Sequence, residues 1–167
     1  MTSIMPEISH TKRQFDRLFA STYDFAQANF CARYLLKKGW HSKPWERRGT
    51  IYQQQTAFVT NFIIAYIRPF VKSEGWPGFP SKLTKFDAGQ RDIHTKLMQM
   101  RHEIFAHSDS DHFNFRPVEM GGFRTTIERV PFTVLSLDET ECIKMMTGNL
   151  IKAVRKRLDE LHRELVE

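Results

Sequence analysis

Residues 101–109, RHEIFAHSD, crowd an arginine, two histidines and an aspartate around the core-type pair Ile104 and Phe105. Histidine exchanges a proton near neutral pH, and the forked N–H groups of arginine hold anions such as phosphate. Joint chemistry requires Arg101 and His107 to reach one small group. Six residues along an unbroken helix would leave the two about 120° apart. The helix must therefore end near Ala106 so that His107 turns back, and Ser108, Asp109, Ser110 and Asp111 are residue types that favour turns and caps. Upstream, His94 lies seven residues before Arg101, so the two share one stripe, offset by about 20°, with Leu97 and Ile104. A charge on a mostly apolar stripe must be paired, or must face a cleft or a partner chain. The structural alternative is an ion pair at the helix edge. For His107 it is an ordinary helix-end residue.

Four helical patterns must position these groups. From Thr11 to Lys38, Phe15, Phe19, Tyr23, Ala26, Phe30 and Tyr34 fall in an arc of about 100°. Leu18, Phe25, Ala32 and Leu36 widen it into a broad apolar face. Gly39 ends this helix, with Lys37 and Lys38 in the turn where the dipole favours cations. A second helix is expected from Glu46 to Arg68, stopped by Pro69, and SEGWPGFPSK beyond it reads as a loop, the best candidate for a lid or partner contact. The third helix runs from about Phe86 to Ala106 with Asp87 as its cap. Around Gly121–Gly122 the period changes to that of a two-residue hairpin. Ser136 and Glu139 then form a capping box ahead of a long terminal helix whose apolar arc runs from Ile143 to Leu165. The expected architecture is all-α: one domain over residues 1–167, a bundle of four to five helices, with a β-hairpin inserted at about 113–134 before the C-terminal helix.

The 167 residues carry a formal charge of +6, with 41% apolar and 26% charged residues, an ordinary globular composition that favours a polyanionic partner without requiring one. The basic side chains concentrate in KKGWHSKPWERRG, where Lys37, Lys38, Lys43, Arg47 and Arg48 interleave with Trp40 and Trp45. This is either a solvated connection whose tryptophans cover the core, or a surface that holds phosphates and stacks on bases. Cys31 and Cys142 sit in separate helical patterns, as expected of two buried thiols in a reducing compartment. Residues 49–67 are uncharged, but Gln53, Gln54, Gln55, Thr60 and Asn61 suit a buried helix better than lipid. With no signal-type run at the N-terminus, a soluble cytoplasmic protein without membrane contact is expected.

RHEIFAHSD resembles the signature of the HEPN superfamily, small helical bundles of prokaryotic toxin and abortive-infection systems. That signature is an Arg, four to six residues, then a His, with Asn, Asp or His usual directly after the Arg. Arg101 matches the first position, His102 the next, and His107 follows after five intervening residues. The run AHSD at 106–109 is similar to the ending seen in abortive-infection members. The order of helices also agrees; the hairpin has no counterpart in the superfamily core. The resemblance implies a HEPN-like bundle that cleaves RNA without metal or other cofactor, leaving a 2′,3′-cyclic phosphate and a 5′-hydroxyl. In it His107 would carry the proton, Arg101 would hold the scissile phosphate, and His102 would orient the phosphate or act as second proton carrier. His94, Asp109, Lys37, Lys38, Arg47 and Arg48 would contact substrate. It also implies a homodimer that brings two Arg–His pairs into one cleft, and a nucleotidyltransferase-like antitoxin as possible partner.

Two other readings compete. One is a HEPN-like bundle that binds protein or nucleic acid without cutting, since fold does not fix function. The other is a metal site built from His107, Asp109, Asp111 and His112, acceptable ligand types for Mn, Fe or Zn, although they lie in a single run of chain without a helical ligand pair.

Overall fold

Ser9 accepts a hydrogen bond from the Lys12 backbone N–H (3.2 Å) and so caps helix α1, His10–Lys38. Gly39, at φ +61°, closes it in the left-handed conformation that a glycine adopts without strain. The computed structural model describes residues 9–46, 50–102, 114–129 and 134–166. Helix α2 spans Thr50–Ile67 and tightens into a 3-10 turn, Arg68–Phe70, where Pro69 ends the α pattern. A second 3-10 turn, Ser81–Leu83, precedes helix α3, Ala88–Met100. Strands β1, Asn114–Met120, and β2, Phe123–Arg129, pair antiparallel with Met120 opposite Phe123, and both turn glycines have positive φ. Helix α4, Leu137–Val166, completes a mostly helical bundle with one hairpin before the C-terminal helix.

Helices α1 and α4 run antiparallel. Asn29 donates to the Lys144 carbonyl (3.0 Å) and to Thr147 Oγ1 (2.8 Å), while fourteen residues earlier Phe15 lies against His162. Helix α2 is also antiparallel to α1, because Phe58 stacks on Tyr34 near one end and the chain after Ile67 meets Arg17 at the other. The core is aromatic and aliphatic, with Leu18, Phe25 and Leu35 of α1 facing Phe62, Ile63 and Tyr66 of α2 and Ile143, Leu150 and Leu161 of α4.

The broad apolar face of α1 divides in two. Its buried part is Leu18, Phe25, Ala32 and Leu35, interleaved with the small residues Ser21, Ala28 and Cys31 that let neighbouring helices approach. Phe19, Tyr23 and Phe30 are 48%, 68% and 61% exposed and form an open stripe. On α4 the arc from Ile143 to Leu161 is buried, whereas Leu165 reaches solvent.

Two buried polar devices hold the end of α2. Arg17 donates through Nη2 to the carbonyls of Pro69 (2.6 Å), Val71 (2.9 Å) and, more weakly, Arg68 (3.3 Å), with Trp76 over its guanidinium. Asp24, almost buried, pairs with Arg68 at 2.6 Å. The loop of residues 73–82 is pinned at two points, by Trp76 on Arg17 and by Phe79 packed edge-on against Phe25 and Phe70. Cys31 is buried and Cys142 half-buried, both as free thiols. Among the described residues no helix is long and apolar enough to cross a membrane.

Candidate functional site

Helix α3 carries the central arginine, and local chemistry starts it where expected. Asp87 accepts from the Gln90 backbone N–H (2.8 Å) while the Gln90 side chain accepts from the Asp87 N–H (3.2 Å), a reciprocal capping box. The helix ends at Met100, and Arg101 and His102 continue it in a wider π turn, a geometry often found where a helix carries function. Arg101 is half-buried, and among the described residues its side chain has no hydrogen bond or ion pair. His102 is exposed beside it. His107, Asp109, Asp111 and His112 lie outside the described residues, as do Arg47 and Arg48. The expected Arg101–His107 pair and the alternative metal site therefore both rest on residues beyond those described. Among the described residues no three metal-ligating side chains cluster.

His94, on the Arg101 stripe, packs into an aromatic cage. Its ring lies 4.8 Å from Phe70, 5.4 Å from Phe86 and 5.8 Å from Tyr66, and its Nδ1 is 3.0 Å from the Tyr66 hydroxyl oxygen. Burial pushes the Tyr66 phenol far up, so it keeps its proton. The Tyr66 hydroxyl then donates to Nδ1 of a neutral imidazole whose own proton sits on Nε2. Burial also lowers the His94 pKa and so favours the neutral ring. These contacts brace α3 against α2.

The helix directions bring the basic residues to the Arg101 end of the bundle. Lys96 pairs with Glu139 at the start of α4, so the C-terminal end of α3 lies near the N-terminal end of α4. The antiparallel α1 brings Lys37 and Lys38 to that same end. Lys38 sits over the Tyr34 ring, and Lys37 with Arg33 borders a groove lined by Phe30 and Ile151. The Trp-rich basic loop serves two purposes. Trp40 is buried edge-on against Tyr34 and Phe58, whereas Trp45 is 66% exposed with Lys43 over its ring. Gln55, wholly buried, clamps this loop by accepting from the Ser42 N–H (3.1 Å) and donating to the Ser42 carbonyl (2.9 Å).

Gln55 stands out in the sequence only as one of several polar residues in a buried helix, and Arg17 and Asp24 do not stand out at all. A polar residue within an apolar helix is the one signal that could have marked them, since a buried polar group needs a partner. Comparison with protein-family models, with curated proteins and with solved structures finds no match.

Proposed function

We propose that the chain is a metal-independent endoribonuclease of the HEPN type, acting in a toxin–antitoxin or phage-defence system. The observation that carries this reading is Arg101, a half-buried residue whose side chain has no partner among the described residues, at the bundle end that also holds Lys37 and Lys38. A guanidinium without a protein partner keeps its forked N–H groups free to hold a phosphate. In the proposed reaction the RNA 2′-oxygen attacks the adjacent phosphorus, the bond to the 5′-oxygen breaks, and a 2′,3′-cyclic phosphate and a 5′-hydroxyl result. His107 takes or returns the proton. Arg101 offsets charge gathering on the phosphoryl oxygens, and His102 orients the phosphate. Lys37, Lys38, Arg47 and Arg48 attract the flanking backbone. No cofactor enters the scheme. The functional unit is a homodimer, and a nucleotidyltransferase-like antitoxin is its expected regulator.

The test is RNA cleavage in EDTA, with the product ends identified. Arg101→Ala and His107→Ala should each abolish it while the fold persists, and undiminished cleavage in both variants refutes the assignment. A second reading, binding without cleavage, is favoured by the open aromatic stripe of Phe19, Tyr23 and Phe30 leading toward Arg33 and Lys37. Such a surface can stack on bases or dock a protein. Salt-sensitive RNA binding that produces no new ends would select it.

A further inference from the structure

Along α3 from Arg101, a cleft of about 450 Å³ opens between the Ser81–Leu83 turn, the first turn of α3 and the middle of α4. Gln90, in its wall, is eleven residues before Arg101, about 17 Å along the helix axis. Three chain segments converge on it. Lys82 and Lys85 come from the turn and the link into α3, and Lys156 and Arg157 from α4. Arg157 is neutralised by Glu160 (3.0 Å) and Glu164 (3.2 Å). Lys82, Lys85 and Lys156 make no ion pair among the described residues, so three lysines border an opening whose lining carboxylate, Glu160, is engaged by Arg157. Such a cluster is a source of self-repulsion unless an anion occupies it.

Below the lysines the wall is apolar, formed by Leu83, Phe86 and Ala153 over the buried Met146 and Leu150. Two amides interrupt it. Gln90 commits its oxygen to the Asp87 N–H, which leaves its NH2 group to donate. Asn149 is exposed and makes no side-chain hydrogen bond among the described residues. The volume lies within the range of small-molecule sites, roughly 300–1,000 Å³. We propose that this cleft binds a nucleoside di- or triphosphate, with the base on the Phe86–Ala153 wall, its edge toward Gln90 and Asn149, and the phosphates among Lys82, Lys85 and Lys156. A bare phosphate would leave the apolar wall unused. An acyl chain would set its tail against the two amides.

The full chain is titrated with fluorescently labelled ADP and ATP, and with unlabelled pyrophosphate and adenosine as competitors. Saturable binding at one site per chain is expected, with pyrophosphate and adenosine each at least about tenfold weaker than ADP, because each lacks one half of the contacts. Lys82→Glu combined with Lys156→Glu should weaken ADP by more than about tenfold; both lysines are exposed, so thermal unfolding should match the parent. Ala153→Trp, which fills the wall without changing charge, should weaken ADP similarly. Arg101→Ala should leave binding intact, which separates this site from the proposed cleavage site. Absence of saturable binding refutes the inference, as does pyrophosphate binding as tightly as ADP. Unchanged affinity in the double lysine variant, or loss of binding in Arg101→Ala, does so as well.

Discussion

Replacing Tyr66 with Phe removes one oxygen atom from a fully buried ring and tests what His94 does. The Tyr66 hydroxyl lies 3.0 Å from His94 Nδ1 inside a cage of Phe70 and Phe86. Loss of one neutral hydrogen bond costs about 0.5–1.5 kcal/mol, and a ring nitrogen left without a partner adds to it, so a net loss of about 1–2 kcal/mol is expected. For a chain of this length that lowers Tm by roughly 2–8 °C. The pH dependence supplies the second measurement. Burial lowers the folded His94 pKa below its ordinary 6.5, so the unfolded chain takes up this proton first. Stability from His94 is therefore fully present above pH 6.5 and is lost as pH falls from there toward the folded value. His94→Gln keeps an acceptor for Tyr66 but cannot titrate. Urea unfolding between neutral and mildly acidic pH should show a shallower decline in this variant than in the parent. Unchanged stability in Tyr66→Phe would refute a structural role for His94. So would His94→Gln keeping the parent's pH slope while RNA cleavage disappears, since that pattern belongs to a substrate-contacting histidine.

Other interactions give further expectations. Arg17→Met strips the buried carbonyls after α2 of their donor and should cost about 2–4 kcal/mol in chemical denaturation, most of it from the Pro69 and Val71 bonds. Ser136→Ala removes the hydroxyl that caps α4 and should cost about 1 kcal/mol in the same measurement. Burial would raise the Glu139 pKa, but hydrogen bonds from Lys96 and the Ser136 backbone outweigh it and hold the carboxyl below its ordinary 4.5. Its contribution is present above pH 4.5 and fades as pH falls through the folded value, so Glu139→Gln should flatten that part of the acid limb. Tyr23→Ser, at the most exposed ring of the open stripe, should shift Tm little, while weakening any partner that docks there.

What could be read from sequence was local. Asp87 with Gln90, Ser136 with Glu139, and the Gly121–Gly122 turn are each decided by side chains within three residues of the backbone they satisfy, so their positions follow from residue type. The two faces of α1 could not be separated that way, because Phe19 and Phe25 are equally apolar and lie on neighbouring arcs. Burial went to the arc that also carries Ser21, Ala28 and Ala32, a choice made by the approach of α2 and α4. The stripe shared by His94 and Arg101 was legible as a spacing, yet the two ends differ. His94 meets Tyr66 from another helix, a contact that no periodicity encodes. Of the cleft's lysines, Lys156 stands far in sequence from Lys82 and Lys85 and joins them only when α3 lies along α4.

Helix α3 differs from its neighbours in how it is held. It buries fully only Leu97, whereas α1, α2 and α4 each bury several side chains over much of their length. Beyond the half-buried Ile93, Met98 and Met100, it is tied to its neighbours by His94 in its cage with Tyr66 and by the Lys96–Glu139 pair. Elements with little buried apolar area open at lower free energy than the core, so α3 should be the first of the four helices to lose protection in hydrogen exchange. Both proposed sites draw on this helix, the cleft at its first turn and Arg101 just past its last. An anion bound at either end would add contacts that the helix lacks by itself, stabilising α3 by mass action. The weak intrinsic packing thereby becomes measurable: ADP in the cleft should slow exchange along α3 more than along α1, and equal slowing in both helices would place the ligand elsewhere.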